Sequence, residues 1–190
     1  MVDRDRKSQH IFLVGEKHTG KSRLARLVAH GMNRSPVDID EQVEQMYVAE
    51  FRESLAVRDI YRRDDGQTFR RLEAAACGQA ARSPEPVVVA TGGGLCDNSE
   101  AVAELRSGFI VALEVDPELL FNRIIRNGIP AFMSASTSAE ARVEFADLHR
   151  RRLVLYREMS DVVVEAGDRQ PAEIAAEVIM RVEEHVHGGK

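Results

Sequence analysis

The sequence predicts an α/β fold: a parallel sheet with helices packed on its faces. Three observations carry this. Five short apolar runs of strand type alternate with segments of helical periodicity. The first run leads straight into a glycine-rich phosphate motif, which a strand–loop–helix unit presents. No internal repeat or low-complexity block breaks the alternation.

Taken in order, Ile11–Val14 is the first strand, and Leu24, Leu27 and Val28 follow at helical spacing. Residues 37–39 form a short second strand, and Val43, Met46 and Tyr47 mark a helix after it. Phe69, Leu72 and Ala76 mark another helix, ending in small residues before Pro84 and Pro86. Val87–Ala90 is a buried strand stopped by Gly92, Gly93 and Gly94. Ser99 is read as the cap of a short helix carrying Val102 and Leu105. Residues 109–115 form the fourth strand. Asp116 followed by Pro117 is an N-cap with proline at the first helical position. Residues 127–137 are turn-like, without periodicity, and are expected to be a mobile loop. Thr137 and Glu140 have capping-box spacing ahead of a long helix. Residues 161–165 form the last strand, and Pro171 opens a C-terminal helix with Ile174, Val178 and Val182 on one face. The tail after it is expected to fray, with His185 and His187 solvated rather than metal-bound.

Composition narrows the function. The 190 residues, 44% hydrophobic, suit one domain with a small inserted subdomain. Lys and Arg total 26 against 31 Asp and Glu, a net charge of −5. This balance argues against nonspecific nucleic-acid binding, while a local basic pocket for a small anion remains allowed. The longest apolar runs are far too short to cross a bilayer, and the first ten residues lack a signal peptide's apolar stretch. Cys77 and Cys96 form no CxxC motif and read as reduced thiols. The expectation is a cytoplasmic enzyme or binding module. It is expected to be a monomer, because no long apolar stripe is left over.

The sharpest chemical signal is Gly15-Glu-Lys-His-Thr19-Gly20-Lys21-Ser22, which fits G-x-x-x-x-G-K-[ST]. Backbone N–H groups of such a loop surround a phosphate; Lys21 neutralises the β- and γ-phosphates, and Ser22 offers a hydroxyl to Mg²⁺. Asp38 and Asp40 follow on the second strand, two apart and so on one side of it. At the sheet's carboxyl edge they would face a ligand, Asp38 toward Mg²⁺ and Asp40 toward an acceptor hydroxyl; capping of the following helix explains them equally well. Arg70 and Glu73 stand one helical turn apart. Gly92, Gly93 and Gly94 let a backbone approach a ligand closely. On the long helix, Phe145, Leu148, Arg152, Leu155 and Met159 share a stripe. Arg152 is a cation on that apolar face, so it either snorkels to water or meets an anion.

Together these residues resemble the shikimate kinase family, of the nucleoside-monophosphate-kinase-like branch of P-loop kinases. The resemblance covers most of the chain. Its specific part is the combination of Asp38-x-Asp40, Asp59-Ile60-Tyr61, Phe69-Arg70-x-x-Glu73, Gly92-Gly93-Gly94 and Arg152-x-x-Leu155-Tyr156. It implies a P-loop NTPase fold, three layers α/β/α with a five-stranded parallel sheet, in a single kinase domain over residues 1–190. Residues 40–81 would be the substrate-binding subdomain and 127–137 the lid. It implies transfer of the ATP γ-phosphate to the 3-hydroxyl of shikimate, a small anionic substrate, with ATP and Mg²⁺ as cofactors. Lys21 and Asp40 would be catalytic. Gly15, Thr19, Gly20, Lys21, Ser22 and Arg23 would hold the nucleotide phosphates, and Arg169 the adenine side. Either Arg123 or Arg126 would stack near the base, and the resemblance does not choose between them. Asp40 would contact the acceptor hydroxyl, Arg70 and Arg152 its carboxylate, and the Gly93 N–H the substrate. Gly92 and Gly94 would flank it, and Glu73 would orient the arginine. Ser22 and Asp38 would serve the metal.

Three features depart from that family. Ile129-Pro130-Ala131-Phe132 stands where the family's lid has an arginine, whose loss is expected to cost on the order of 10²–10³ in rate. Glu16, Lys17 and His18 are bulky where the family is rich in glycine and serine, and Arg23 stands where threonine is common. Residues 46–53 contain an apparent insertion. These motivate two other readings: a kinase for another hydroxy acid such as gluconate, or a catalytically weak nucleotide- and shikimate-binding homologue.

Overall fold

The computed structural model describes residues 9–126 and 137–187. Five strands, β1 (Ile11–Val14), β2 (Ser35–Asp38), β3 (Val87–Ala90), β4 (Phe109–Glu114) and β5 (Val162–Glu165), form one sheet in the order β2-β3-β1-β4-β5. Every pairing is parallel, with Leu13 between Ala90 and Val111 at the centre. All four residues of β1 are buried, as both faces of a parallel strand must be covered. The chain leaves β1 with β3 on one side and β4 on the other, a switch point that opens a crevice at the strands' carboxyl ends.

Alternation along the strands divides the core in two. Ile11, Leu13, Val88 and Val111 face α1 (Lys21–Gly31), α6 (Pro117–Ile125) and α8 (Pro171–His187). Phe12, Val14, Val89 and Ile110 face α2 (Ile39–Phe51), α3 (Val57–Arg63), α4 (Gln67–Ala81) and α5 (Ser99–Leu105). The long helix α7 (Ser138–Met159) gives Phe145 to the first cluster and Tyr156 to the second. One helix therefore bridges both layers of the α/β/α sandwich.

Local caps set the boundaries. Asp116 accepts from the Leu119 N–H with Pro117 behind it, and Thr137 and Glu140 close a capping box on α7. Four details differ from the sequence reading. The strand β2 ends at Asp38, whose side chain accepts from the Asp40 N–H at 3.0 Å and starts α2 at Ile39. Asp40 thus lies in a helical first turn, because the Asx cap outcompetes a strand that short. Asn98, not Ser99, caps α5. The chain also forms α3, for which no periodicity was assigned. His185 lies within α8 with its ring 4.5 Å from Phe109, so the helix continues to His187, into the segment expected to fray, whose last three residues lie outside the described ones. The expected lid, including Ile129, Pro130, Ala131 and Phe132, lies outside the described residues apart from Thr137.

Leu13 sits at the centre of the sheet without solvent access. Leu13→Ala is expected to cost about 2–5 kcal/mol. Urea unfolding checks this as a lower midpoint at unchanged slope.

Candidate active site

The phosphate loop follows from the exit of β1. A Cβ on Gly15 would lie 2.6 Å from the Leu113 carbonyl oxygen, and its φ of 138° is open only to glycine. The loop then folds on itself: the Thr19 hydroxyl donates to the Glu16 carbonyl at 2.9 Å, and Gly20 caps α1. The Lys21 ammonium donates to the carbonyls of Gly15 at 2.8 Å and Glu16 at 2.7 Å. Only 7% of Lys21 is exposed. Burial pushes its pKa down to about 8, against the pull of Asp40, Glu16 and Asp38. Ser22 and Arg23 are exposed on the first turn of α1.

The acids meet this lysine across the crevice. Burial, and then repulsion from Asp38, push the Asp40 carboxyl up, while Lys21 and Lys17 hold it down. Asp38 and Asp40 are therefore neighbours, as expected, but through a helix cap rather than strand alternation. Neither makes an ion pair among the described residues. Behind Asp40 stands Glu73, 1% exposed. Burial raises its pKa to about 7, opposed chiefly by the Asn98 amide, which donates to it at 2.9 Å. Gly92 lies between the two carboxyl groups: a Cβ there would be 2.6 Å from Glu73 Oε1 and 3.3 Å from Asp40 Oδ1.

The arginines come from α4 and α7. Arg152 does not snorkel out; its side chain is 12% exposed and meets an anion. Its Nε and Nη2 donate to Asp97 Oδ2 at 3.0 and 2.6 Å, and Nη1 to the Gly93 carbonyl at 3.2 Å. The Tyr156 hydroxyl donates to the same carbonyl at 3.1 Å. Arg151 takes the other oxygen of Asp97, and Arg70 donates to the Asp97 carbonyl at 3.0 Å. Glu73 makes no ion pair with Arg70 among the described residues; the Asn98 amide links the two, and the Asp97 carbonyl makes the direct contact with the Arg70 guanidinium.

Asp97 and Asn98 were missed in the sequence. They follow Gly94 in a 3₁₀ turn, Leu95–Asp97, that no hydrophobic period announces. The one available signal was an Asn at capping distance ahead of an apolar helix. Asn98 joins three parts of the site: it caps α5, donates to Glu73 and donates to the Arg70 carbonyl at 2.9 Å. An open cleft of about 780 Å³ runs along Tyr61, Arg70, Asp97, Arg152 and Leu155.

On the opposite side, Arg123 donates to the carbonyls of His18 at 3.4 Å and Gly167 at 2.6 Å. It thus ties the phosphate loop to the turn before α8. Arg126 is exposed at the end of α6. Arg169 is held by the Glu165 carbonyl and by Glu177 at 2.6 Å. Of the two arginines left open by the sequence, Arg123 is the one beside the loop.

A sequence model of the shikimate kinase family matches residues 18–183. The chain is 32% identical over 175 residues to the shikimate kinase of Oleidesulfovibrio alaskensis, covering 92% of this chain and 96% of that one. Its fold is similar to a shikimate kinase from Acinetobacter baumannii in complex with shikimate, with a TM-score of 0.81 at 22% identity, covering 93% and 94% of the two chains. A more distant likeness is to a gluconokinase from Sinorhizobium meliloti, with a TM-score of 0.57 at 19% identity over 96% of each chain.

Glu73 gives the site a measurable pH signature. Its pKa rises from 4.5 unfolded to about 7 folded. The folded state therefore binds the extra proton, and stability falls as pH rises through that window. Lys21, at about 8, stays protonated in both states there and adds no slope. Chemical unfolding should show a loss of roughly 1–3 kcal/mol between pH 5 and pH 7. The Glu73 share is the difference from Glu73→Gln, because Asp40, raised by burial, and His18, lowered by burial, also change protonation between the folded and unfolded states.

Proposed function

This chain belongs to the shikimate kinase family, and from that premise we propose that it transfers the γ-phosphoryl group of ATP to the 3-hydroxyl of shikimate. The observation that carries this is the contact between the two glycine loops. A Cβ on Gly93 would lie 2.6 Å from the Lys17 backbone nitrogen and 2.9 Å from its Cα. The Gly92-Gly93-Gly94 turn therefore packs on the phosphate loop itself. A molecule held by Arg70, Arg152 and the Gly93 backbone would lie against the end of a bound nucleotide's phosphates.

Roles follow from that juxtaposition. Two guanidiniums suit the acceptor's carboxylate, because a planar fork matches its two oxygens. Asp97 orients Arg152 by occupying one edge of its guanidinium. Asp40, next to Lys21, orients the acceptor hydroxyl and takes its proton; a carboxyl raised by burial is a better base than an ordinary one. Glu73 and Asn98 sit behind Gly92 and Arg70 and hold the acceptor wall in place. Residues 40–81, which run from the first turn of α2 to the end of α4, form the acceptor-binding subdomain. Lys21 leaves its carbonyls for the β- and γ-phosphates and neutralises charge spread over the transferring group. Gly15, Thr19, Gly20 and the exposed Ser22 and Arg23 line the phosphates, and Arg123 with Arg169 borders the base.

The Ser22 hydroxyl and the Asp38 carboxylate are hard oxygen donors, the class that Mg²⁺ prefers, and Asp38 makes no ion pair among the described residues. When bound, magnesium neutralises charge on the phosphates. Both cysteines are free thiols and no described helix is long and apolar enough to cross a membrane. A cytoplasmic enzyme acting on a small anion fits these features.

ADP release from Mg-ATP with shikimate, with gluconate and with no acceptor tests the reading. Shikimate-dependent release that Lys21→Ala abolishes is the expected result. Release with gluconate alone would move the acceptor. Arg152→Ala is expected to lower kcat/KM for shikimate by about 10–100-fold, the worth of one charge-assisted pair. Most of that loss should fall on the KM for shikimate, with the KM for ATP little changed.

A further inference from the structure

We propose that Glu16 and His149 form a strut that positions the phosphate loop, so that α7 anchors the donor side of the site as well as its acceptor side. This rests on the kinase reading only so far as the loop binds a nucleotide.

A carboxylate in a phosphate-binding loop is electrostatically adverse, since it repels the ligand. Glu16 is nevertheless buried in that loop. Its side chain is turned away from the loop and meets His149 Nδ1, with both side chains nearly enclosed. Its backbone does the opposite. The Glu16 carbonyl accepts from Lys21 Nζ at 2.7 Å, from the Thr19 hydroxyl at 2.9 Å and from the Thr19 N–H at 3.4 Å. One residue thus organises Lys21 through its main chain and is tethered to α7 through its side chain.

The other end of the strut is held as well. The His149 ring stacks on Phe145 at 5.5 Å and 25°, and Phe145 packs on Phe121 of α6 at 5.4 Å. Arg142 lies 4.6 Å over the Phe121 ring. His149, Arg152 and Tyr156 are spaced three and four residues apart, which places them on one face of α7. The first touches Glu16, and the other two touch the Gly93 carbonyl. A single helix face therefore sets the distance between the loop that holds the phosphates and the loop that meets the acceptor. His149 reaches the loop only through the Glu16 side chain and lies outside the groups proposed to meet the phosphates or the acceptor, so it acts as a positioning residue.

Calorimetric titration with Mg-ADP, joined to steady-state kinetics, tests this in Glu16→Ala, His149→Ala, the double variant and His149→Asn. Asparagine places an amide N–H near the position of Nδ1. Each alanine variant is expected to weaken Mg-ADP binding by about 5–20-fold and to raise the KM for ATP to match, with the KM for shikimate changed less than about 2-fold. The double variant is expected to be no worse than either single one, and His149→Asn to recover most of the loss. Unchanged or tighter Mg-ADP binding in Glu16→Ala, effects that multiply in the double variant, or equal losses for both substrates would overturn the strut. Calorimetry reads binding without turnover. A wild-type protein that binds Mg-ADP but leaves shikimate untouched would sink the proposed function and leave this test intact.

Discussion

The site depends on keeping one ammonium group charged inside a closed loop. Lys21 is buried where the central strand ends, and burial works against its charged form. Two carbonyls and three nearby acids oppose that effect. The acids in turn need the lysine, since Asp38 and Asp40 repel one another at close range. Removing Lys21 would leave Asp38 and Asp40 facing one another without the cation that offsets them. The switch point between β1, β3 and β4 is what makes this arrangement accessible to a ligand, because it opens the sheet at the strand ends.

Around that charge the structure is over-determined. The turn carrying Gly92 and Gly93 is wedged between Lys17 on one side and Glu73 with Asp40 on the other. Asp97 and Asn98 lock the next turn to both arginines and to Glu73. Helix α7 spans the assembly, from its contact with Glu16 to its contacts with Gly93. Such a frame suits phosphoryl transfer, in which positioning and fixed charge do most of the catalytic work.

Much of this was legible in the sequence because it is written in short-range patterns. Five apolar runs and the phosphate motif gave the parallel sheet and the position of Lys21. The caps at Asp116 and Thr137 were readable from spacing alone. Local competition was harder to read. Asp38 ends β2 as an Asx cap, a choice between strand and helix that a segment as short as Val37-Asp38-Ile39 cannot settle. Long-range partners left no trace at all. Nothing near Arg152 announces Asp97, 55 residues away, and nothing near Glu16 announces His149. The bulky residues of the phosphate loop looked like departures from a family pattern, yet the fold gives Glu16 a partner of its own. The reach of Arg123 to the carbonyls of His18 and Gly167 is likewise a tertiary contact that no spacing in the sequence announces.

The most direct test is a crystal structure with shikimate and a non-hydrolysable ATP analogue bound together. The acceptor carboxylate is expected between Arg70 and Arg152, its reacting hydroxyl on Asp40, and Lys21 moved from its carbonyls onto the phosphates. An acceptor bound away from the glycine turn, or a phosphate chain that leaves Lys21 on Gly15 and Glu16, would contradict this arrangement.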